Sequence, residues 1–302
     1  MFKGISKNIW LLHLTVLIWG FTGILGVLIQ VPALHLVWYR VLIAALSLFV
    51  YFLIKKKSIK ITKRQLIQYL ITGGIVGLHW VLFFESIKVS TVSVTLVCLS
   101  SVTLFTALLE PIVKKQKIAG IDILTGVIII IGIYLIFTFE TDYLLGIILG
   151  IIAAFLASIF SIVNSNLIKK GSAPLISFYE MLGASVWISL FMLITNRFDT
   201  GLILQQSDLF FLILLGTVCT AAAYVMAVAV MKELSAFTVA LATNLEPIYG
   251  IILALVFFGT NEKMSLGFYA GAIIVLGTVL LYPYVKTRHE KRKYQQKLSK
   301  PM

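Results

Sequence analysis

An acidic residue stands beside a proline in the middle of a long apolar run. Glu246 and Pro247 lie within the stretch from Ala236 to Phe258, whose length suits a membrane-spanning helix. A charged side chain at bilayer depth costs about 2.5–3.5 kcal/mol and usually faces a protein interior or a water-filled cavity. The proline removes a backbone N–H and so frees the carbonyl of Thr243. Charge, free backbone and a kink at Pro247 therefore predict a solute or ion site near the membrane midplane.

Polar residues on the same predicted helix extend this candidate site. Thr243 and Glu246 share one face, with Asn244 and Tyr249 to either side. We predict that all four bind solute, and contact with a neighbouring helix is the alternative. Glu246 is a candidate proton relay or partner for a solute amine, and the alternative is a structural carboxylic acid hydrogen-bonded between helices.

Three other apolar runs supply further candidates for solute binding. His79 is a candidate proton relay because imidazole titrates near neutral pH, with an imidazole that bridges two helices as the alternative. Trp19, Trp80 and Tyr224 are candidates for the aromatic walls of the solute site, with simple packing as the alternative. Gly20, beside Trp19, predicts close approach of another helix.

Composition places these residues in a polytopic membrane protein. Of the 302 residues 60% are hydrophobic and only 12% are charged, against about 25% charged in soluble domains. The mean hydropathy is +1.03, and the apolar residues form blocks of about 20, enough to cross the hydrocarbon core. The predicted fold class is an all-α integral membrane protein with ten transmembrane helices. The predicted spans are 9–29, 34–54, 66–87, 92–113, 121–139, 144–168, 175–195, 209–231, 236–258 and 266–285.

The net charge of +13 reflects orientation and does not indicate a nucleic-acid partner. With a cytoplasmic N-terminus, only Lys88, Arg197 and Lys263 among the 25 lysines and arginines fall on the outer side, and Arg40 falls within a span. This bias predicts that both termini are cytoplasmic. The basic stretch 286–302 is predicted to be a cytoplasmic tail that contacts membrane lipid.

The two halves of the chain match each other at nearly constant offsets. Trp80 matches Tyr224 at an offset of 144, and Arg40 matches Glu180 at an offset of 140. Five spans in each half give the repeats opposite orientations in the membrane. The predicted domains are a first repeat at 1–140, a second at 141–285 and the tail. We expect Arg40 and Glu180, near opposite faces, to reach the membrane surface or to form gate hydrogen bonds.

The Glu-Pro dipeptide occurs twice, but not at repeat-equivalent positions. Glu110–Pro111 is predicted to lie at the cytoplasmic end of the fourth span, where proline ends a helix. The first-half position that matches Pro247 falls at Ser101 or Val102 and is not proline. The sequence therefore predicts no symmetric kink in the first half.

Motifs for catalysis and cofactors are missing from the sequence. It has no Walker A, H-E-x-x-H or G-x-S-x-G motif, so ATP hydrolysis and a membrane-embedded enzyme are not expected. Cys98 and Cys219 lie inside apolar runs, and we predict no metal or cofactor. A channel or a receptor is the other alternative to a secondary transporter.

Several short motifs, in this order along the chain, resemble the drug/metabolite transporter superfamily and its EamA-type permeases. They are Trp19-Gly20, Tyr39-Arg40, Ser86-Ile87-Lys88, Leu245-Glu246-Pro247-Ile248 and Glu262-Lys263. The resemblance implies two inverted five-helix halves around a cavity lined by spans 1, 3, 4, 6, 8 and 9. It implies export or exchange of small organic solutes such as amino acids and related metabolites. Export of cationic or aromatic drugs is the alternative. We expect a monomer or homodimer in the bacterial inner membrane.

Overall fold

The computed structural model, which describes residues 7–118 and 120–298, is a bundle of long helices. Among the described residues nine helices are long and apolar enough to cross a membrane, and a tenth is apolar from Leu266 to Tyr282. The helices are α1 Lys7–Leu28, α2 Ala33–Ile54, α3 Lys63–Val89, α4 Val92–Val113, α5 Gly120–Phe139, α6 Thr141–Leu167, α7 Ala173–Ile194, α8 Gln206–Val230, α9 Ala236–Phe258 and α10 Leu266–Leu298. The predicted all-α membrane fold is confirmed.

The last helix is longer than the predicted span. Helix α10 continues past 285 to Leu298, because lysine, arginine, glutamate and glutamine are good helix formers. The helix therefore extends beyond its apolar segment into the basic stretch. Residues 299–302 of the predicted tail lie outside the described part of the chain.

The helix pairs follow the symmetry of an inverted repeat. Helix α5 packs along α10, and α3 packs against α6 and α7. Helices α4 and α9 cross in opposite directions, so that the first part of each packs on the second part of the other. This crossing lies between the two repeats and places the middle of α4 beside the middle of α9.

Both crossing helices are broken at repeat-equivalent positions. Helix α4 consists of Val92–Leu99 (α4a) and Val102–Val113 (α4b), and α9 consists of Ala236–Thr243 (α9a) and Leu245–Phe258 (α9b). The breaks at Ser100 and Asn244 are 144 residues apart, the same offset that relates Trp80 to Tyr224. The prediction of no symmetric kink was therefore wrong.

Serine side chains interrupt α4 without a proline. The Ser100 hydroxyl donates to the Val97 carbonyl at 2.5 Å, and the Ser101 hydroxyl donates to Cys98 at 2.7 Å. Such bonds compete with the helical ladder for the same carbonyls. In α9 the interruption lies at Asn244, three residues before Pro247. The Asn244 amide donates to the Ala240 carbonyl at 3.0 Å.

Two further helices carry irregular backbone. Helix α1 is interrupted at Phe21, and α8 contains a π-helical segment, Leu215–Ala222. In that segment the Thr220 hydroxyl donates to the Leu215 carbonyl at 2.7 Å. Since π-helical turns inside α-helices often occur at functional sites, Thr220 is a candidate functional residue.

Close approach of α1 and α9 depends on Gly20, as the small residue predicted. A methyl group on Gly20 would lie 3.0 Å from Cβ of Tyr249. Even the smallest side chain here would require Tyr249 or its helix to shift by a few tenths of an ångström.

Candidate functional site

A cavity lies inside the bundle beside the two helix breaks. Its lining residues come from α1, α2, α3, α4, α6, α8 and α9. The family resemblance implies all of these helices except α2. The space open to the centres of water molecules is about 70 Å³, and one buried water needs roughly 10–15 Å³ on that measure. The cavity therefore has room for several waters. Six predicted solute-binding residues line it: Trp19, His79, Trp80, Tyr224, Thr243 and Glu246.

Glu246 presents an unpaired carboxyl group to this cavity. It lies in the first turn of α9b and is 5% exposed. Among the described residues no group donates a hydrogen bond to it. The positive end of the α9b dipole favours negative charge at this position. Glu246 is therefore positioned to receive a cationic or hydrogen-bonding group from a solute.

Arg40 brings a positive charge to the same cavity. The side chain is 2% exposed, with its guanidinium carbon 4.1 Å from the ring centroid of Trp80. Its Nε donates to the Thr220 hydroxyl at 2.5 Å, so the π-helical segment of α8 positions this arginine. The expectation that Arg40 reaches the membrane surface was wrong, because an aromatic ring and a threonine hold it inside the bundle.

Arg40 and Glu246 face one cavity without forming an ion pair. The three ion pairs in the described part of the chain join other residues. Arg40 belongs to the first half and Glu246 to the second, so the two halves contribute opposite charges. A guanidinium carries five N–H donors and one is used by Thr220, which leaves donors for a carboxylate.

Aromatic rings form much of the remaining wall. Trp80 and Tyr224 meet edge to face, with ring centroids 5.7 Å apart. Phe160 lies 6.2 Å from Tyr224 and 5.3 Å from the His79 ring. These rings give the cavity an apolar side suited to a hydrophobic or aromatic group.

His79 bridges two helices as well as lining the cavity. Its Nδ1 lies 2.8 Å from the carbonyl oxygen of Ala153 on α6. A carbonyl only accepts, so Nδ1 carries the hydrogen, and Nε2 is an acceptor in the neutral ring. The helix-bridging alternative describes this contact, and a relay role for His79 remains a prediction.

A buried polar cluster supports Tyr224 from behind the cavity wall. The Tyr224 hydroxyl donates to Glu180 Oε2 at 2.8 Å. The Asn164 amide donates to the same carboxyl oxygen at 3.2 Å and to the Tyr224 oxygen at 2.9 Å. Glu180 is 0% exposed. The expectation that it reaches the membrane surface was wrong, because Tyr224 and Asn164 hold one of its carboxyl oxygens, Oε2, within the bundle.

This cluster leads to a stability prediction at Glu180. Changing Glu180 to Leu leaves the Tyr224 hydroxyl hydrogen and one Asn164 hydrogen without an acceptor, which costs about 1–3 kcal/mol. We expect the melting temperature to fall by roughly 4–8 °C, as measured on purified protein. Glu180→Gln keeps an acceptor oxygen and is expected to melt close to the wild type. Equal losses in the two variants would show that hydrogen bonding to Glu180 is not what matters.

Two of the predicted solute-binding residues are not among the lining residues of the cavity. Asn244 is 1% exposed and donates to the Thr103 hydroxyl on α4 and to the Ala240 carbonyl, so it ties the two broken helices together. Tyr249 packs against Gly20 of α1. Both residues lie on flanks of α9 that meet other helices and not the cavity.

Sequence reasoning missed the importance of Arg40 and Glu180. The signal was present, since an ionisable residue inside a span is by default a functional candidate. Arg40 and Glu180 were placed by distance from the predicted span ends, which does not show the direction of a side chain. Thr220 had no such signal, because its role depends on the π-helical backbone.

The fold and this cavity define a polytopic helical membrane protein of the transporter class. The EamA-like transporter family matches the chain twice, over residues 6–138 and 144–282, and the chain belongs to that family. An uncharacterized transporter of Archaeoglobus fulgidus is 24% identical over 91% of this chain and 97% of its own length. An uncharacterized transporter of Clostridium kluyveri is 22% identical over 80% of this chain and 79% of its own. The chain is thus a multi-pass membrane transporter.

A solved structure shares the fold. It is a crystal structure titled only as that of a protein, and it aligns with 93% of this chain and 99% of its own chain. The TM-score is 0.68 at 13% sequence identity. This similarity concerns the fold alone.

Proposed function

We propose that this protein is a secondary transporter that exports or exchanges a zwitterionic small solute of the α-amino acid type. The observation that carries the proposal is that Arg40 and Glu246 line the same internal cavity and, among the described residues, form no ion pair with each other. An α-amino acid carries a carboxylate for the guanidinium and an ammonium for the glutamate. Charge-assisted hydrogen bonds of this kind are about twice as strong as neutral ones.

The aromatic wall favours an amino acid with an apolar or aromatic side chain. Trp80, Phe160 and Tyr224 face the cavity that the charged groups enter. Rings of this kind bind apolar surface and exclude water from the polar contacts. Related neutral metabolites that carry both an acid and an amine fit the same arrangement.

The alternative solute is a cationic or aromatic drug, which Glu246 and the rings accommodate. Arg40 opposes it, because a positive solute in the same cavity faces an uncompensated guanidinium 4.1 Å above the Trp80 ring. We therefore rank the drug-export reading second.

The proposed mechanism is alternating access. The broken helices α4 and α9 cross next to the cavity, and breaks of this kind accompany sites that open in turn to the two sides. The solute gradient supplies energy for exchange. In coupled transport, Glu246 takes a proton when the solute ammonium leaves. The same carboxylate therefore binds the solute and the proton in turn.

The proposed location is a bacterial inner membrane with both termini cytoplasmic. The strong bias of lysine and arginine towards one side of the helices supports that orientation. In the proposal the solute leaves the cell through the outer face.

Two measurements test the proposal together. A thermal-shift screen of purified protein should show stabilisation by a zwitterionic amino acid, since a ligand at 100 times its Kd adds about 2.7 kcal/mol. Counterflow of the labelled amino acid in proteoliposomes should saturate. Stabilisation by cationic drugs alone would favour the drug-export alternative, and unsaturable flux would indicate a channel.

A further inference from the structure

Two buried glutamates tie the crossing helices together at opposite ends. Glu262 follows α9 and accepts hydrogen bonds from the backbone N–H groups of Val92 and Ser93, both at 3.0 Å, at the start of α4. It also accepts from the Ser93 hydroxyl at 2.7 Å. Only 4% of Glu262 is exposed. We call this contact the outer clasp, because the start of α4 lies on the outer side in the proposed orientation.

A corresponding contact joins the other ends of the same helices. Glu110, near the end of α4b, accepts from the backbone N–H of Phe237 at 3.1 Å, at the start of α9. Its second oxygen accepts from Lys114 at 2.6 Å. This is the cytoplasmic clasp. The predicted helix end at Pro111 agrees with α4b ending at Val113, but the dipeptide also contributes a buried acid that contacts the other repeat.

The two clasps have the same local design. Thr91 caps α4 by accepting from the N–H of Val94, and Ser235 caps α9 by accepting from Thr238, each at 3.1 Å. Thr91 and Ser235 are 144 residues apart, the repeat offset. In each helix the glutamate of the opposite repeat takes N–H groups that the cap leaves free. The negative charge also meets the positive end of the helix dipole.

We propose that Glu110 and Glu262 are the gate residues that close the cavity at the cytoplasmic and outer faces. Each clasp joins the start of one crossing helix to the end of the other, so the helices cannot separate at that face while the clasp is intact. The hydrogen bonds of both clasps are present in this structure. In alternating access, one clasp opens while the other stays closed.

The two clasps differ in strength. Glu262 receives three hydrogen bonds from α4, whereas Glu110 receives one from α9. Glu110 and Lys114 also line a polar cleft in which about 150 Å³ is open to the centres of water molecules. Glu262 is not among the residues that line this cleft. Water competes for hydrogen bonds at such a cleft. The outer clasp is therefore the tighter one, and its loss should have the larger effect.

The test measures the side from which the cavity can be reached. Thr243 lines the cavity, so Thr243→Cys is introduced with Cys98 and Cys219 replaced by Ala, and a membrane-impermeant maleimide is applied to one side of oriented vesicles. Glu262→Gln should raise labelling from the outside about fivefold relative to labelling from the inside. Glu110→Gln removes the negative charge that meets Lys114 and the positive end of the α9 dipole. It should shift the ratio the other way, by less.

Glu140→Gln is the matched control. Glu140 also accepts a hydrogen bond from a backbone N–H of the other repeat, Ser265 at 2.9 Å, but it joins α5 to the start of α10. The Glu140→Gln variant should leave the ratio of outside to inside labelling unchanged. Ser93→Ala, which removes one bond of the outer clasp, is the milder variant if Glu262→Gln folds poorly, and it should shift the ratio in the same direction.

The outcomes separate this inference from the solute proposal. The inference rests on alternating access in the proposed function, but the labelling assay requires no solute. A wrong solute assignment leaves the opposite shifts intact. Shifts in the same direction for Glu110→Gln and Glu262→Gln, or no shift in folded protein, would overturn the gate assignment.

Discussion

Glu246→Gln is expected to lower counterflow of a zwitterionic amino acid about 100-fold. The substitution keeps the shape of the side chain but removes the negative charge that meets the solute ammonium. Truncating one partner of a buried charged pair costs about 2–5 kcal/mol, and each 1.4 kcal/mol is about tenfold in affinity. The measurement is uptake of labelled amino acid into proteoliposomes that are loaded with the unlabelled compound.

Asp142→Asn is the matched control for this prediction. Asp142 is an exposed acid in the first turn of α6, so its neutralisation should leave counterflow unchanged. Because Glu246 has no protein partner to lose, Glu246→Gln should fold and express as well as the wild type. Normal counterflow in that variant would remove Glu246 from the solute site and from the proton-relay role.

Gly73→Ala is expected to destabilise the bundle by about 3 kcal/mol, at the upper end of the usual cost of overpacking. A methyl group on Gly73 would lie 2.2 Å from the carbonyl oxygen of Glu180. The obstacle is backbone and not a flexible side chain, so α3 and α7 must move apart. That movement would displace Trp80 on α3 and Glu180 on α7 together. The measurements are melting temperature and the yield of folded protein.

Gly277→Ala provides the contrasting glycine. It lies in α10, and among the described residues no atom outside its chain neighbours and the nearby backbone of its own helix lies within 4 Å of the position its Cβ would take. Alanine favours the helix by up to about 1 kcal/mol over glycine, so this variant should be as stable as the wild type or slightly more stable. Equal destabilisation by the two substitutions would show that the close α3–α7 contact is not the cause.

The sequence predicted the elements better than it predicted their interruptions. Runs of about 20 apolar residues are a strong signal because hydrocarbon thickness fixes their length. In α9 the predicted kink residue, Pro247, lies three residues after the break at Asn244. The break in α4 was missed, since serines at positions 100 and 101 bond to their own backbone and no breaking residue marks the site.

The candidate site was also predictable in part, because polar residues are conspicuous inside apolar runs. Glu246, His79 and Trp80 stand out as polar or aromatic residues inside apolar runs, and the structure places them on one cavity. Asn244 carried the same signal but ties α9 to α4. Whether a polar side chain faces a cavity or a neighbouring helix depends on rotation about the helix axis and on packing, which spacing in one sequence does not determine.

The placement of opposite charges from the two repeats on one cavity could not be predicted from the sequence. Arg40 and Glu246 are 206 residues apart, and both line the cavity because the fold brings α2 and α9 to it. The gate contacts of Glu110 and Glu262 have the same origin, since the antiparallel crossing of α4 and α9 brings the end of each helix to the start of the other.

A crossed comparison of solutes and variants tests the account most directly. Counterflow is measured for an amino acid, its deaminated acid and its decarboxylated amine, in the wild type, Arg40→Gln and Glu246→Gln. We expect the wild type to prefer the amino acid, Glu246→Gln to keep exchange of the acid, and Arg40→Gln to keep exchange of the amine. Loss of the same solutes in both variants, or no change of preference in either, would contradict recognition of a zwitterion between Arg40 and Glu246.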